Sequence, residues 1–367
     1  MKKINVPVKG KKYPVYTGSG TFGQIEQMLE KHKMPSRILA VTDANIIKYQ
    51  KEALQLLLNS TKFRVELLSF AASEEKKSLA SAEKIYKALQ KRGYGRDSAI
   101  IAIGGGITGD VAAFAASTYM RGIKFVNVPT SLLAMVDSSV GGKTGVNFNN
   151  AKNFIGTFYQ PEFVFIDTKM LDTLEPESIY AGFGELYKTS YLAGKKMFPL
   201  VEDAMAEVFY GNYSTVEKAI CEAVRFKAGV VVKDEKETGL RKILNLGHTY
   251  AHALEAETDY FVKHGLAVIA GLAFALYLSR RKGIMTEEAF NENIKRIEPF
   301  RNILVFPKAD PEKIYLSMSG DKKNREGKIK FVLLKDAGEA VIDVEASKGE
   351  VIAAIKFAQK FIPVRGF

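Results

Sequence analysis

The feature that most constrains this chain is a change of hydrophobic period near residue 170. From Arg37 to about Thr168, five short apolar runs stand at intervals: Ile38–Val41, Val65–Leu68, Ala99–Ile103, Phe125–Val128 and Phe163–Ile166. Between them lie longer amphipathic stretches such as Ala44–Leu58 and Leu79–Arg92. Short buried strands alternating with helices predict a largely parallel sheet covered on both faces. The opening segment, Lys3–Tyr16, reads as an extra strand or hairpin at the sheet edge. After Met170 the pattern becomes helical, over Pro199–Val208, Val216–Lys233, His248–Glu257, Leu266–Arg281 and Glu287–Glu298. Near the end, Ile329–Leu334 and Ala340–Val344 flank Asp336-Ala337-Gly338, a small hairpin. The expectation is an α/β N-terminal domain over 1–169 and a mainly α-helical domain over 170–367, with ligands bound in the cleft between them. The length of 367 residues suits two cores.

Composition narrows the class. One cysteine, Cys221, excludes an internal disulfide framework and a multi-thiolate zinc site. The Gly265–Ser279 stretch is shorter than the ~20 apolar residues that cross a bilayer, and no secretory signal is visible, so a soluble cytoplasmic protein with no membrane partner is expected. The net charge of +12 is scattered and lacks the aromatic interleaving of a single-strand binder. A nucleic-acid partner is therefore not expected; a site for a small anionic substrate is.

Three clusters carry chemistry. Gly104-Gly105-Gly106-Ile107-Thr108-Gly109-Asp110 follows a predicted strand and opens a helix, where backbone N–H groups and the helix dipole favour a phosphate. Asp43, closing an earlier strand, is placed to accept from a ribose hydroxyl. The segment Asp137–Asn147, with Gly141-Gly142-Lys143 at its centre and Lys152-Asn153 beyond, offers close backbone approach and a flexible cation. Of four histidines, three fall at His248, His252 and His264. His248 and His252, at i and i+4, share a helical face, and their spacing nominates them as a metal pair. Glu185 and Lys188 share another face upstream. Arg241 and Asn245 lead into His248, and Lys227, Asp234 and Asp321–Asn324 add charge for an anion pocket.

In this order the motifs resemble the 3-dehydroquinate synthase family across most of the chain. The resemblance rests on Gly104–Asp110, Val128–Ala134, Asp137–Asn147, Lys152-Asn153, Gly184–Lys188, Arg241–Glu255, His264-Gly265 and Asp321–Lys323. It implies a lyase of the shikimate route that turns 3-deoxy-D-arabino-heptulosonate 7-phosphate into 3-dehydroquinate and phosphate. NAD and a divalent metal, zinc or cobalt, are the implied cofactors, and a homodimer the implied assembly. The implied metal ligands are Glu185, His248 and His264, with His252 turned to substrate instead. Asp43, Glu74, Lys77, Gly105, Gly106, Asp110, Thr130 and Ser131 match dinucleotide positions, which Lys143 and Lys152 also border. Asp137, Lys143, Lys152, Asn153 and Lys188 match substrate positions, as do Lys227, Arg241, Asn245 and His252. Arg121 matches a residue that reaches a partner's substrate phosphate, and Lys322 or Lys323 joins the phosphate site. Four departures stand out: Ala71-Ala72-Ser73 before Glu74, Gly184 where alanine is usual, Leu186-Tyr187 where smaller aliphatics are usual, and Ala251 where glycine is common.

Overall fold

The computed structural model describes residues 1–149, 151–303, 306–307, 309–319 and 329–362. The chain divides into two compact units. One comprises Met1–Ile179 with Glu207–Lys236, the other Tyr180–Ala206 with Glu237–Phe367. These groupings do not follow a single cut near residue 170. The Tyr213–Lys233 helix, which sequence alone assigns to the helical half, packs in the first unit against the opening strand and the Ala134–Ser138 turn. Its buried face, including Val216, Ile220, Val224 and Val231, supplies the reason.

The first unit is built on β1 (Lys2–Val8), β2 (Lys11–Gly18), β3 (Arg37–Asp43), β4 (Arg64–Phe70), β5 (Ser98–Gly104), β6 (Lys124–Pro129) and β9 (Phe163–Asp167). Their spatial order is β1-β2-β9-β6-β5-β3-β4. Every neighbouring pair is parallel except the β1–β2 hairpin, so the five runs are the strands expected and the opening segment is the edge hairpin. β5 is buried along its whole length, the signature of a strand covered on both faces. The Gly106–Thr118 helix packs on it, and Leu39, Val41, Phe70, Ile100, Ala102, Val111 and Phe125 form one apolar cluster. The Ala44–Leu58 pattern is two helices, Ala44–Tyr49 and Lys51–Leu58, broken at Gln50, whose side chain donates to Thr173 Oγ1 at 2.7 Å.

From β3 the chain steps outward to β4, then returns to the other side of β3 as β5 and continues away to β6. The direction of winding therefore reverses between β3 and β5. In open parallel sheets the crevice at the carboxyl ends of such strands is where ligands bind. Beside this sheet, β7 (Lys143–Phe148) and β8 (Ala151–Phe158) form a separate antiparallel hairpin, so the Asp137–Asn147 segment is a turn leading into a strand rather than a plain loop.

The second unit is mainly helical around the His264–Arg281 helix, which is buried almost continuously from Gly265 to Leu276. The His248–Glu257, Glu287–Arg296 and Lys348–Phe361 helices pack on it, together with the hairpin of β10 (Lys330–Leu334) and β11 (Ala340–Glu345). Among the described residues, no helix is long and apolar enough to cross a membrane.

Candidate active site

At the winding reversal, Asp43 ends β3 and caps the next helix: its Oδ1 accepts from the N–H groups of Asn45 at 2.9 Å and Ile46 at 3.2 Å. Its Oδ2 accepts from Thr108 Oγ1 at 3.3 Å, tying it to the helix that follows β5. Gly105 is the N-cap of that helix and Gly106 its first residue, so the amides of this turn lie at the helix's positive end. Thr130 donates its N–H to Gly104 O at 2.9 Å, and Ser131 Oγ accepts from Ala134 N–H, which sets both at the end of the neighbouring strand.

Asp110 lies one turn into the same helix. Burial pushes its carboxyl above the usual range, and the Lys77 ammonium, 2.5 Å from its Oδ2, opposes that push. Lys77 is itself buried and also donates to Asn153 Oδ1 at 2.5 Å. Glu74 faces Lys152 Nζ at 3.7 Å. The Ala71-Ala72-Ser73 departure thus leaves the Glu74 and Lys77 side chains engaged. Lys227 donates to the carbonyl of Asp137 at 2.7 Å and to its Oδ1 at 2.8 Å, so one ammonium holds the turn before β7. Lys143, the first residue of β7, is exposed. Arg121 is exposed on a tight turn in which Met120, Arg121 and Gly122 all have positive φ.

The second unit holds a convergence of imidazoles and carboxylates. Glu185 Oε1 lies 3.3 Å from His264 Nε2 and 3.6 Å from His248 Nε2. Two ligand atoms on one tetrahedral zinc, each about 2.1 Å from the ion, stand about 3.4 Å apart, so these separations fit a shared metal. The other ring nitrogens are engaged in the way such ligands require: His248 Nδ1 is 3.1 Å from Leu246 O, and His264 Nδ1 is 3.1 Å from Glu255 Oε2. Each contact favours a proton on Nδ1 and leaves Nε2 as the donor to an ion. Glu185 Oε2 meets Lys188 Nζ at 2.5 Å, which orients the carboxylate and balances its charge.

Electrostatics separate the two histidines. Burial drives the His248 pKa well below its usual value, and the positive charges of Lys188, His264 and His252 add to that. Burial also opposes protonation of His264, but Glu255 and Glu185 outweigh it and raise that pKa to about 10 in the absence of an ion. His252 belongs to a wider group with His248 and His264, whose ligand atoms lie within 4.8 Å of one another. Both the spacing-based pair and the Glu185 set therefore lie in one place.

Backbone contact brings the helices that carry Glu185 and His264 together. A Cβ at position 184 would lie 2.0 Å from Gly265 O, and one at position 265 would lie 1.7 Å from Ala181 O. Glycine at 184 in place of alanine is thus matched to an unusually close crossing of the Pro176–Ala193 and His264–Arg281 helices. Arg241 is 2% exposed in the turn before His248, and Asn245 donates to Glu237 Oε1 at 2.6 Å. Lys322 and Lys323 lie outside the described residues. Glu255 was not singled out from sequence; its signal is its place seven residues after His248, on the same helical face. Asn147, the end of the Asp137–Asn147 motif, likewise had no role of its own.

The family profile described as 3-dehydroquinate synthase N-terminal matches residues 67–181, and its C-terminal counterpart matches residues 182–324. The chain is 36% identical to 3-dehydroquinate synthase of Thermoanaerobacter pseudethanolicus over 97% of its own length and 100% of that protein. It is 37% identical to the Acidithiobacillus ferrooxidans enzyme over 97% and 98% of the two chains. Among solved structures, 2-deoxy-scyllo-inosose synthase complexed with carbaglucose-6-phosphate, NAD+ and Co2+ superposes with a TM-score of 0.86 at 25% identity, over 96% of this chain and 99% of that one. An iron-containing alcohol dehydrogenase shares the fold at 14% identity and a TM-score of 0.67, over 95% and 97%. On the strength of the two matching profiles and of relatives aligned over nearly its whole length, the chain belongs to the 3-dehydroquinate synthase family.

Proposed function

We propose that the chain converts 3-deoxy-D-arabino-heptulosonate 7-phosphate into 3-dehydroquinate and phosphate, using NAD and a divalent zinc or cobalt ion. The observation that carries this reading is Glu185 Oε1 standing 3.3 and 3.6 Å from two imidazole nitrogens, in a chain that also has a dinucleotide-type crevice. Family membership and the NAD+ and Co2+ complex of 2-deoxy-scyllo-inosose synthase support the same cofactors. Phosphate departs poorly from an unactivated carbon. A transient ketone at carbon five acidifies the neighbouring hydrogen, elimination follows, and return of the hydride leaves no net redox change before an internal aldol closure. When bound, NAD supplies the reversible hydride transfer and the metal supplies Lewis-acid polarisation of the reacting oxygens.

The residues divide this work. In the first unit, residues 1–169 carry the dinucleotide function, with Asp43 receiving ribose hydroxyls and Gly105 and Gly106 approaching the phosphates. Glu74, Lys77, Asp110, Thr130 and Ser131 complete that subsite. Lys143 offers its exposed ammonium to the substrate phosphate, and Lys152 and Asn153 present the far side of the hairpin to substrate. Asp137 holds the Lys227 ammonium in place for the substrate carboxylate. In the remaining chain, Glu185, His248 and His264 hold the metal, and Lys188 sets the Glu185 carboxylate. Arg241 serves the carboxylate, while Asn245, His252 and one of Lys322 and Lys323 serve the phosphate. The proposed assembly is a cytoplasmic homodimer in which the exposed Arg121 reaches the phosphate bound by a second copy.

The test is phosphate release from the heptulosonate 7-phosphate by zinc-loaded protein with NAD, followed at the same time as NADH absorbance. Stoichiometric phosphate without accumulating NADH is expected. Zinc-loaded, NAD-binding protein that releases no phosphate rejects this substrate, and accumulating NADH without phosphate indicates a dehydrogenase.

A further inference from the structure

One residue with no assigned role ties the dinucleotide turn to the β7–β8 hairpin. Asn147 lies near the end of β7, and its N–H donates to Lys77 O at 2.7 Å. Its Nδ2 donates to Glu74 twice, to the carbonyl at 3.1 Å and to Oε1 at 2.8 Å. Its Oδ1 accepts from the N–H of Asn153 at 2.9 Å, across the hairpin. A backbone bridge between Ser78 and Asn147 runs beside these contacts. Glu74 and Lys77 belong to the proposed dinucleotide subsite; Asn153 belongs to the proposed substrate subsite. Asn153 also sits at φ +49°, a left-handed conformation that asparagine adopts more readily than most residues and that its hydrogen bonds can fix. The hydrogen bond from its N–H to Asn147 is one such hold.

Only a primary amide satisfies this geometry, because one end must donate to a carboxylate while the other accepts from an amide. A ligand that fixes Glu74 and Lys77 therefore fixes Asn147, and through it the backbone of Asn153, whose side chain Lys77 already holds directly at 2.5 Å. Ordering that has been completed for one ligand does not have to be repeated for the other, which appears as mutual tightening. We propose that Asn147 is a positioning residue that couples dinucleotide binding to substrate binding. The inference rests on the functional reading above, since it uses that reading's two subsites.

The experiment uses zinc-loaded, full-length protein. NADH affinity is titrated by its fluorescence, with and without a phosphonate analogue of the heptulosonate 7-phosphate in which carbon replaces the bridging oxygen. NADH cannot accept a hydride from the analogue's alcohol, so the ternary complex does not react. The wild-type chain is expected to bind NADH about tenfold more tightly with the analogue present. In Asn147→Ala that ratio is expected to fall to about twofold or less. General loosening of the hairpin would weaken both ligands while preserving the ratio, and a preserved ratio overturns the proposal. So does a wild-type protein that binds both ligands independently. Where circular dichroism shows that the alanine variant does not fold, Asn147→Asp provides the test: it keeps the acceptor for Asn153 and sets a carboxylate against Glu74, and the same loss of ratio is expected. Wild-type protein that fails both to bind NADH and to release phosphate overturns the functional reading, and the coupling with it.

Discussion

The crevice between β3 and β5 and the Glu185–His248–His264 cluster solve different physical problems. The crevice is made largely of backbone: strand ends, a glycine turn and a helix N-terminus, with Asp43 already held by Asn45, Ile46 and Thr108. Local chain geometry produces those groups, and an anionic ligand adds to donors that exist without it. The cluster is made of side chains from separate helices, buried together, with one imidazole driven towards neutrality and another towards protonation. Such a group of charges is compensated only when every member is in place. A backbone site should therefore tolerate the loss of one side chain better than the cluster does.

The largest effect is expected for His264→Ala. It should remove stoichiometric metal by elemental analysis and lower turnover by about a thousandfold or more, since several kcal/mol of polarisation are lost. A variant that stays fully loaded would show that His248 and His252 hold the ion, as their spacing suggests. Next comes Lys77→Met in the first unit. It leaves the partly buried Asp110 carboxyl without its ammonium, and a loss of about 2 kcal/mol in urea unfolding is expected, with weaker NAD binding and unchanged metal content. Metal loss in that variant would break the contrast between the two regions.

The smallest of the three is Gly265→Ala. Its Cβ would meet Ala181 O, so the helices that carry Glu185 and His264 must part, at a cost of about 2 kcal/mol. Zinc affinity, measured by competition with a chelator, should fall by about tenfold or more, because ligand spacing follows the helix crossing. Unchanged zinc affinity would mean that the side chains absorb the shift, and that the glycine contact serves stability alone.

The legibility of this protein in its sequence follows the same division. The inner parallel strands, β5 above all, stand out because a strand buried on both faces must be a nearly continuous apolar run; β4, at the sheet edge, is half-exposed and carries Glu66 within its run. The Gly104–Gly106 turn stands out because it follows β5 directly. The helix at Tyr213–Lys233 has equally clear periodicity, yet periodicity states only that a face is buried and not against which neighbour. In the histidine cluster, residue spacing favours His248 with His252, four apart on one helix. Glu185 is far away along the chain, and only the packing of three helices brings it to His248 and His264. The family resemblance implies Glu185, His248 and His264 where spacing implies His248 and His252. Gly184 read as a departure from the family pattern until the close approach of Gly265 explained it.

What the sequence by itself determined is whatever depends on neighbours along the chain: strand and helix periods, the glycine turn that opens a helix, and the chemical types available for a metal and an anion. Tertiary structure alone decided which carboxylate meets which imidazole, where the winding reverses, how closely glycines let helices approach, and that Asn147 joins Glu74 to Asn153. The physical reason is that hydrogen bonds and ligand distances act over about 3 Å in space, whatever the separation along the chain.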